Sequence, residues 1–376
     1  MVSRRTLLAG AAGTVGGLTL AGTAAAEPPG TPPTPPPGPA VAQTLSQHRQ
    51  VHARTIRVPV TAFPLTHLAV SWNGARDAAG IRLRTRRGWG YWQPLHGCAA
   101  GRDGGGPGNG ALLVASDVVG YELQTPETGS VTEINTVDGP VRTRAAAPRS
   151  AMRLREEEVM ARYLTRAAWG ADESLRVADD GTELFPANYF PVQTVTIHHT
   201  ATANEDPDPA ATMRAIQFDH TVTRDFGDLG YHLAIDEAGR VYEGRWSGDD
   251  PLPVFGPTAG PDGRPLMNNA AHVGGFNAGN VGVALLGDLT TRPPTDVARR
   301  TLTRVLATLV GVTGLDPLGT TAYVNPISGA ARTVQTVSGH RDWVATECPG
   351  DTFAPMLPEL RQDVADLLGG PTRSRR

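Results

Sequence analysis

Val334 to Phe353 reads VQTVSGHRDWVATECPGDTF. Its first four residues have the β-branched, alternating character of a short strand. His340 and Cys348 follow, eight positions apart, with Thr346-Glu347 just ahead of the cysteine and Cys348-Pro349-Gly350 turning the chain away. The chain has only two cysteines in 376 residues, so one placed in a loop beside a histidine asks for a chemical reason. A divalent metal supplies one, because it deprotonates a thiol and holds it. A catalytic zinc takes three protein ligands and leaves a fourth position for water, so a third ligand is needed.

His198-His199, at the end of the strand-like run Val195-Thr196-Ile197-His198, is the best source of that ligand. Adjacent strand residues point to opposite faces, so both cannot readily reach one ion. His199 shares its parity with Val195 and Ile197, and His198 with Thr194 and Thr196. The expectation is His199 against the core and His198 in the cleft. Taken singly, each residue has a plainer reading: a histidine as a satisfied polar group, a cysteine as a small buried hydrophobe. A Cys98–Cys348 disulfide is another alternative, although the two lie far apart along the chain. Two histidines, a cysteine and the nearby Met356 would also be a copper electron-transfer set, but no histidine follows Cys348.

Around these residues the chain divides by composition. Residues 1–26 read as a targeting segment: Arg4-Arg5, a weakly apolar run to about Leu20, then Ala24-Ala25-Ala26. The paired arginines point to twin-arginine export. Its Gly and Ala content argues against a retained membrane anchor, and no other run is long and apolar enough to span a bilayer. Residues 27–40 form a spacer in which eight of the twelve positions from Pro28 to Pro39 are proline. Residues 41–138 carry short alternating runs such as Thr55 to Val60, Leu68 to Trp72 and Ile81 to Arg86, separated by turn signals, which predicts a small β-sandwich. Residues 139–164 read as a linker with a short helix from Leu154 to Leu164, and residues 370–376 as a tail.

Residues 165–369 mix strands and helices. Strands are expected at Val195–His198, Tyr231–Ile235, Arg240–Glu243, Val281–Leu286 and Val334–Val337. Asp208-Pro209 opens a helix running to about Thr223. Thr295 caps another, with Val297, Leu302, Val305, Leu306 and Leu309 on one face and Gly311 as its stop. A last helix carries Leu357, Leu360, Val364, Leu367 and Leu368 and stops at Gly369. The fold class expected is α/β, a mixed sheet flanked by helices and preceded by a small all-β domain.

Charge sets limits on partners. The formal charge is −3, and removing residues 1–26 takes away Arg4, Arg5 and no acid, so it becomes −5. There is no basic excess to hold nucleic acid. Within residues 41–138, Arg82, Arg84, Arg86 and Arg87 stand with Trp89, Tyr91 and Trp92. That stretch is either a surface for glycan or anionic polymer, or a solvated strand face with ordinary core aromatics.

Several motifs now stand in order: Arg166-Ala167-Ala168-Trp169-Gly170-Ala171, Val195 to Ala201, Asp228-Leu229-Gly230-Tyr231-His232, Val241 to Arg245, Val281 to Asp288, Ser338 to Asp342 and Glu347-Cys348-Pro349-Gly350. Together they resemble the peptidoglycan-recognition proteins and the related zinc N-acetylmuramoyl-L-alanine amidases, from about Thr165 to Leu368. The resemblance implies one Zn2+ bound by His198, His340 and Cys348. It implies Tyr231 over the metal-bound water and Thr346 at a position that is Thr in amidase-active relatives. Non-catalytic relatives typically lose the cysteine, so Cys348 favours catalysis over recognition alone. The implied substrate is peptidoglycan, cut between N-acetylmuramic acid and L-alanine, by a secreted monomer. His199, His272, Asn277 and Arg341 are weaker candidates for substrate contact. The competing expectation is a module that binds peptidoglycan without cutting it.

Overall fold

A computed structural model of the protein describes residues 37–52, 54–97, 101–103, 109–145, 150–153, 160–248 and 253–369. The expected targeting segment, the proline-rich residues up to 36 and Cys98 lie outside the described residues. Among those described, no helix is long and apolar enough to cross a membrane.

Seven strands, numbered in chain order, form the central sheet: β1 Ser150–Arg153, β2 Met160–Leu164, β3 Thr194–His199, β4 Leu233–Ile235, β5 Val241–Glu243, β6 Asn280–Leu285 and β7 Val337–Gly339. Their order in space is β1-β2-β5-β4-β6-β3-β7. The β4–β6, β6–β3 and β3–β7 pairs are parallel, whereas β1–β2 and β4–β5 are antiparallel, which is the mixed sheet expected. Every residue of β3 and β6 is buried, as for strands covered on both faces.

Four helices accompany the sheet: α1 Arg166–Trp169, α2 Pro209–Phe218, α3 Asp296–Thr313 and α4 Leu357–Gly369. The Asp208 carboxylate caps α2 by accepting from the Ala211 N–H at 3.0 Å, and a π-helical turn, Asp219–Thr223, carries the element to its expected end. Thr295 caps α3 in the same way at 3.1 Å. Gly311 does not end α3. The helix continues to Thr313 and closes at Gly314, whose φ of 65° is the left-handed conformation a C-terminal cap uses. Val297, expected on the apolar face, is 44% exposed. α3 and α4 cover one face of the sheet, packing Leu302, Leu306, Leu360 and Val364 on Val195, Ile197, Val281 and Val283. α2 covers the other face, where Met213, Ile216 and Phe218 meet Ala234, Tyr242 and Ala284.

Three further expectations change. Met160–Leu164 is strand β2, not the end of a helix, and residues 154–159 lie outside the described residues. Local helical preference yields there to parallel pairing of Tyr163 with Val241. The expected linker contributes Val141–Ala145, which pairs with Pro37–Ala42 at the end of the expected spacer. Val334–Val337 is two strands: Ala331–Gln335 forms a hairpin with Thr320–Val324, and after Thr336 the chain enters β7.

The N-terminal region is all-β, as expected, and its strands form two sheets. One sheet orders Leu45–Val51, Gly129–Asn135, His67–Trp72 and Asn109–Val114; the other orders Thr55–Val58, Val118–Gln124, Gly80–Thr85 and Gly88–Trp89. Leu68, Val70, Trp72, Ile81, Tyr121, Leu123 and Val131 fill the space between. Its first sheet also packs on α2, with Ala69, Leu112 and Ile134 in one apolar cluster with Met213, Ile216 and Phe218. His67 Nε2 lies 3.2 Å from Thr212 Oγ1 at this junction.

A buried ionic knot ties the domain's first motif to its third. Asp228 pairs with Arg166 at 3.1 Å and Arg245 at 3.0 Å, and accepts from the N–H groups of Leu229 and Trp246. Burial alone would raise this carboxyl; the two guanidiniums hold it below its ordinary value instead. Trp169 Nε1 donates to the Glu243 carbonyl at 2.8 Å, so α1 is pinned to β5 beside the knot.

Asp228→Asn should therefore cost about 3–5 kcal/mol, since it leaves the buried Arg245 without its anion and Arg166 with only Glu173. The Asp228 contribution is present above the ordinary carboxylate value and is lost as pH falls through the lower folded value, so the variant's denaturant midpoint should depend less on pH on the acid side. In the same unfolding assay Leu306→Ala should cost about 2–5 kcal/mol, whereas Val297→Ala should stay within about 0.5 kcal/mol.

Candidate metal centre

β3 and β7 run parallel with Val195, Thr196 and Ile197 opposite Val337, Ser338 and Gly339. The next residue on each chain is a histidine, so His198 and His340 emerge side by side, with ring centroids 4.5 Å apart. Thr194, Thr196 and His198 share the face away from α3 and α4, as their parity required. Cys348 arrives from the loop after β7, and its Sγ lies 3.6 Å from His198 Nδ1. One ligand atom from each of the three lies within 4.8 Å of the others, and all three residues are buried.

The hydrogen bonds assign the tautomer of His198. His272 Nε2 lies 2.9 Å from the Asn280 carbonyl oxygen. A carbonyl only accepts, so His272 carries its proton on Nε2 and presents a bare Nδ1. That Nδ1 lies 3.0 Å from His198 Nε2, which must be the donor. The lone pair of His198 is therefore on Nδ1, the atom facing Cys348. Gly282 makes room for this arrangement: a Cβ there would stand 2.6 Å from the His272 ring. Burial holds His198 well below its ordinary pKa, and pushes His340 down to about 3 and His272 to about 4. All three are neutral imidazoles at neutral pH, as metal ligation requires.

The loop that presents Cys348 is braced at several points. The Gly339 N–H donates to Asp342 at 2.8 Å, Trp343 Nε1 donates to Ser338 Oγ at 2.9 Å, and the Arg341 N–H donates to the Cys348 carbonyl at 3.0 Å. The Arg341 guanidinium reaches the Glu347 carbonyl and, at 2.8 Å, Asp351. The Cys348 sulfur accepts the His199 backbone N–H at 3.3 Å. Two neutral imidazoles and a thiol that can be ionised fit zinc, and the cleft above them leaves room for a further ligand. Met356, which a copper site would need near the sulfur, packs instead into the core beneath α3 and α4.

That cleft has a volume of about 260 Å³. Tyr231, Thr346 and Cys348 line it on one side, and Arg76, Gln93, His96 and Leu112 of the N-terminal sandwich on the other. The Tyr231 ring is centred 5.2 Å from His198. Thr346 Oγ1 accepts the Cys348 N–H at 3.3 Å, which leaves its own proton to donate. The residues flanking Thr346 are held by the sandwich: Arg76 donates to the Ala345 carbonyl, and His96 Nδ1 lies 3.2 Å from a Glu347 carboxylate oxygen.

The weaker candidates take different places. His272 is fully buried behind His198 and orients it. Asn277 is fully buried too, accepting the His272 and Val273 N–H groups at 2.8 and 2.7 Å and donating to Gly101 and Asp103. Neither lines an open groove. His199 points to the opposite strand face from His198 yet lines the cleft, with its Nδ1 accepting the Leu289 N–H at 3.0 Å. Arg341 braces the cysteine loop. His232, set aside as a ligand, is occupied by the Asn268 carbonyl at 2.7 Å and the Gly282 N–H at 2.9 Å. Sequence reasoning missed His220, which lines the cleft and lies 5.3 Å from Tyr231 between ring centroids, and the whole N-terminal wall. Neither has a local signal, because both reach the cleft by tertiary packing.

The family described as N-acetylmuramoyl-L-alanine amidase matches residues 188–351. The N-acetylmuramoyl-L-alanine amidase of Homo sapiens is 30% identical over 168 residues, 44% of this chain and 23% of that protein. Peptidoglycan recognition protein 1 of Bos taurus is 30% identical over 177 residues, 45% of this chain and 72% of that protein. The solved structure of Drosophila PGRP-LB is 28% identical and covers 52% of this chain and 92% of its own, with a TM-score of 0.36, too low to weigh. The chain thus spans about a quarter of the length of the human relative and most of the bovine one. It belongs to the family of peptidoglycan-recognition proteins and type 2 N-acetylmuramoyl-L-alanine amidases.

Proposed function

We propose that the chain is an exported, zinc-dependent amidase that hydrolyses the amide bond between N-acetylmuramic acid and L-alanine in peptidoglycan. The observation that carries this reading is the meeting of His198, His340 and Cys348 within 4.8 Å, with Cys348 lining an open cleft. A module that only binds has no use for a buried thiol beside two neutral imidazoles.

Zinc held by His198 Nδ1, an imidazole nitrogen of His340 and Cys348 Sγ would polarise a carbonyl and lower the pKa of a coordinated water to about 7. His272 keeps the His198 lone pair directed at the centre by accepting the proton on the other ring nitrogen. Tyr231 and Thr346 are assigned as hydrogen-bond donors to the oxygen that gains charge as the amide carbonyl becomes tetrahedral. The Cys348 N–H already occupies the Thr346 oxygen, so the Thr346 proton points elsewhere. The Arg76 and His96 contacts on either side of Thr346 hold that hydroxyl in place. The targeting segment supports export, since peptidoglycan lies beyond the membrane.

Mass spectrometry of purified peptidoglycan treated with the full chain should find released stem peptides beginning with L-alanine, and none once a chelator is added. Bound zinc with no released peptide would favour a binding module instead. Tyr231→Phe should lower kcat by about 10²–10³-fold with zinc content unchanged; loss of zinc would reassign the tyrosine. His272→Ala should weaken zinc binding by about 10–100-fold in a chelator competition titration.

A further inference from the structure

The N-terminal sandwich carries a surface that the cleft chemistry leaves unused. Trp89, Tyr91 and Trp92 line an open groove of about 440 Å³ with Leu83, Arg87 and Gln93. Tyr91 is 97% exposed and Trp92 42% exposed, so large rings stand in water here. Such clustering of exposed aromatic surface marks a binding site.

Trp89 and Trp92 are braced rather than loose. The Arg82 guanidinium lies 5.0 Å from the Trp89 ring centre and 5.4 Å from that of Trp92, and Arg57 lies 5.3 Å from Trp89. Both arginines are paired with the buried carboxylate of Glu122, Arg57 at 3.2 Å. Arg84 donates to the Pro59 carbonyl at 2.7 Å. One anion in the sandwich thus fixes two cations, and the cations fix two rings. The result is a preorganised pair of indole rings beside Tyr91, with Arg57 and Arg82 behind them committed to Glu122.

The platform runs into the cleft. Gln93 lines both, and Pro94, Leu95 and His96 continue along the cleft wall to the contact between His96 and Glu347. We propose that this groove binds the glycan strand of peptidoglycan, with N-acetylated sugar rings stacked on Tyr91 and Trp92 while the attached peptide enters the cleft past Gln93. The assignment rests on the amidase reading for the identity of the polymer. A pyranose presents an apolar C–H face to a flat ring and hydroxyl and amide groups to its edge, where Gln93 and Arg87 stand. An anionic polymer would call for a cluster of cations in the groove, where Arg87 is the one arginine among the lining residues and Arg57 and Arg82 behind the rings hold Glu122.

The test uses the full chain and Tyr91→Ala, a change at a side chain almost wholly in solvent that leaves the fold unburdened. Tryptophan fluorescence is titrated with a soluble β-1,4-linked N-acetylglucosamine oligosaccharide free of peptide. Saturable binding is expected, weakened about tenfold by Tyr91→Ala and further by Tyr91→Ala with Trp92→Ala. With zinc, KM on polymeric peptidoglycan should rise about tenfold in Tyr91→Ala, with kcat unchanged and no change on a muramyl peptide bearing a single sugar. Absence of oligosaccharide binding, or an equal effect on both substrates, overturns the proposal. Binding that is lost in high salt and in Arg87→Ala but untouched by Tyr91→Ala overturns it in favour of an anionic polymer. If the sugar binds through Tyr91 and no peptide is ever released, the glycan site stands and the amidase reading falls.

Discussion

The parallel pairing of β3 with β7 is the constraint on which the metal centre depends. Two strands running the same way end at the same edge of the sheet, so residues one step past their shared register come out abreast. Ile197 faces Gly339 in that register, and the following positions are His198 and His340. A strand at this edge that ran the other way would carry its histidine to the far side of the sheet. The cysteine need not belong to a strand at all, because the braced turn after His340 returns it to the same point.

The two faces of the sheet are built for different work. The face under α3 and α4 is mostly apolar and supplies the packing. The other face carries Thr196, His198, His272 and Ser338, groups costly to bury unless each finds a partner. They do: Thr196 donates to Asn280 at 2.8 Å, His198 to His272, and His272 to the Asn280 carbonyl. This network holds the His198 ring and selects which nitrogen faces Cys348. The small residues Gly282 and Ala284 of β6 are the counterpart, leaving space for an imidazole layer that larger side chains would fill.

The N-terminal sandwich is part of the site and not a tethered accessory. It buries Ala69, Leu112 and Ile134 against α2, the helix that covers the metal-bearing face. It supplies the opposite wall of the cleft and holds the carbonyl of Ala345 and the carboxylate of Glu347 on either side of Thr346. Asn277, buried beneath His272, is bonded to Asp103, so the sandwich also supports the layer behind the centre. A loop presenting a thiolate and a donor hydroxyl is mobile by default; ties from a second domain restrict it.

Local residue chemistry by itself determined a good deal of this protein. The alternation of Thr194, Thr196 and His198 against Val195 and Ile197 assigned the two histidines to opposite faces, and a strand cannot evade that period. Asp208-Pro209 and Thr295 marked two helix starts because capping is a local interaction. The fold class and the three candidate ligands were legible because residue type and spacing suggested them and the ordered motifs resemble one family. Tertiary structure alone decided the rest. Met160 to Leu164 has a helical composition, yet pairing with Val241 makes it a strand. Val334 to Val337 reads as one strand, yet the chain changes sheets at Thr336. His272 and Asn277 were expected to contact substrate, and only tertiary packing buries both and turns one into the orienting partner of His198. No local signal places Arg76 and His96 beside Thr346, because that contact exists only when two separately encoded sheets meet across α2.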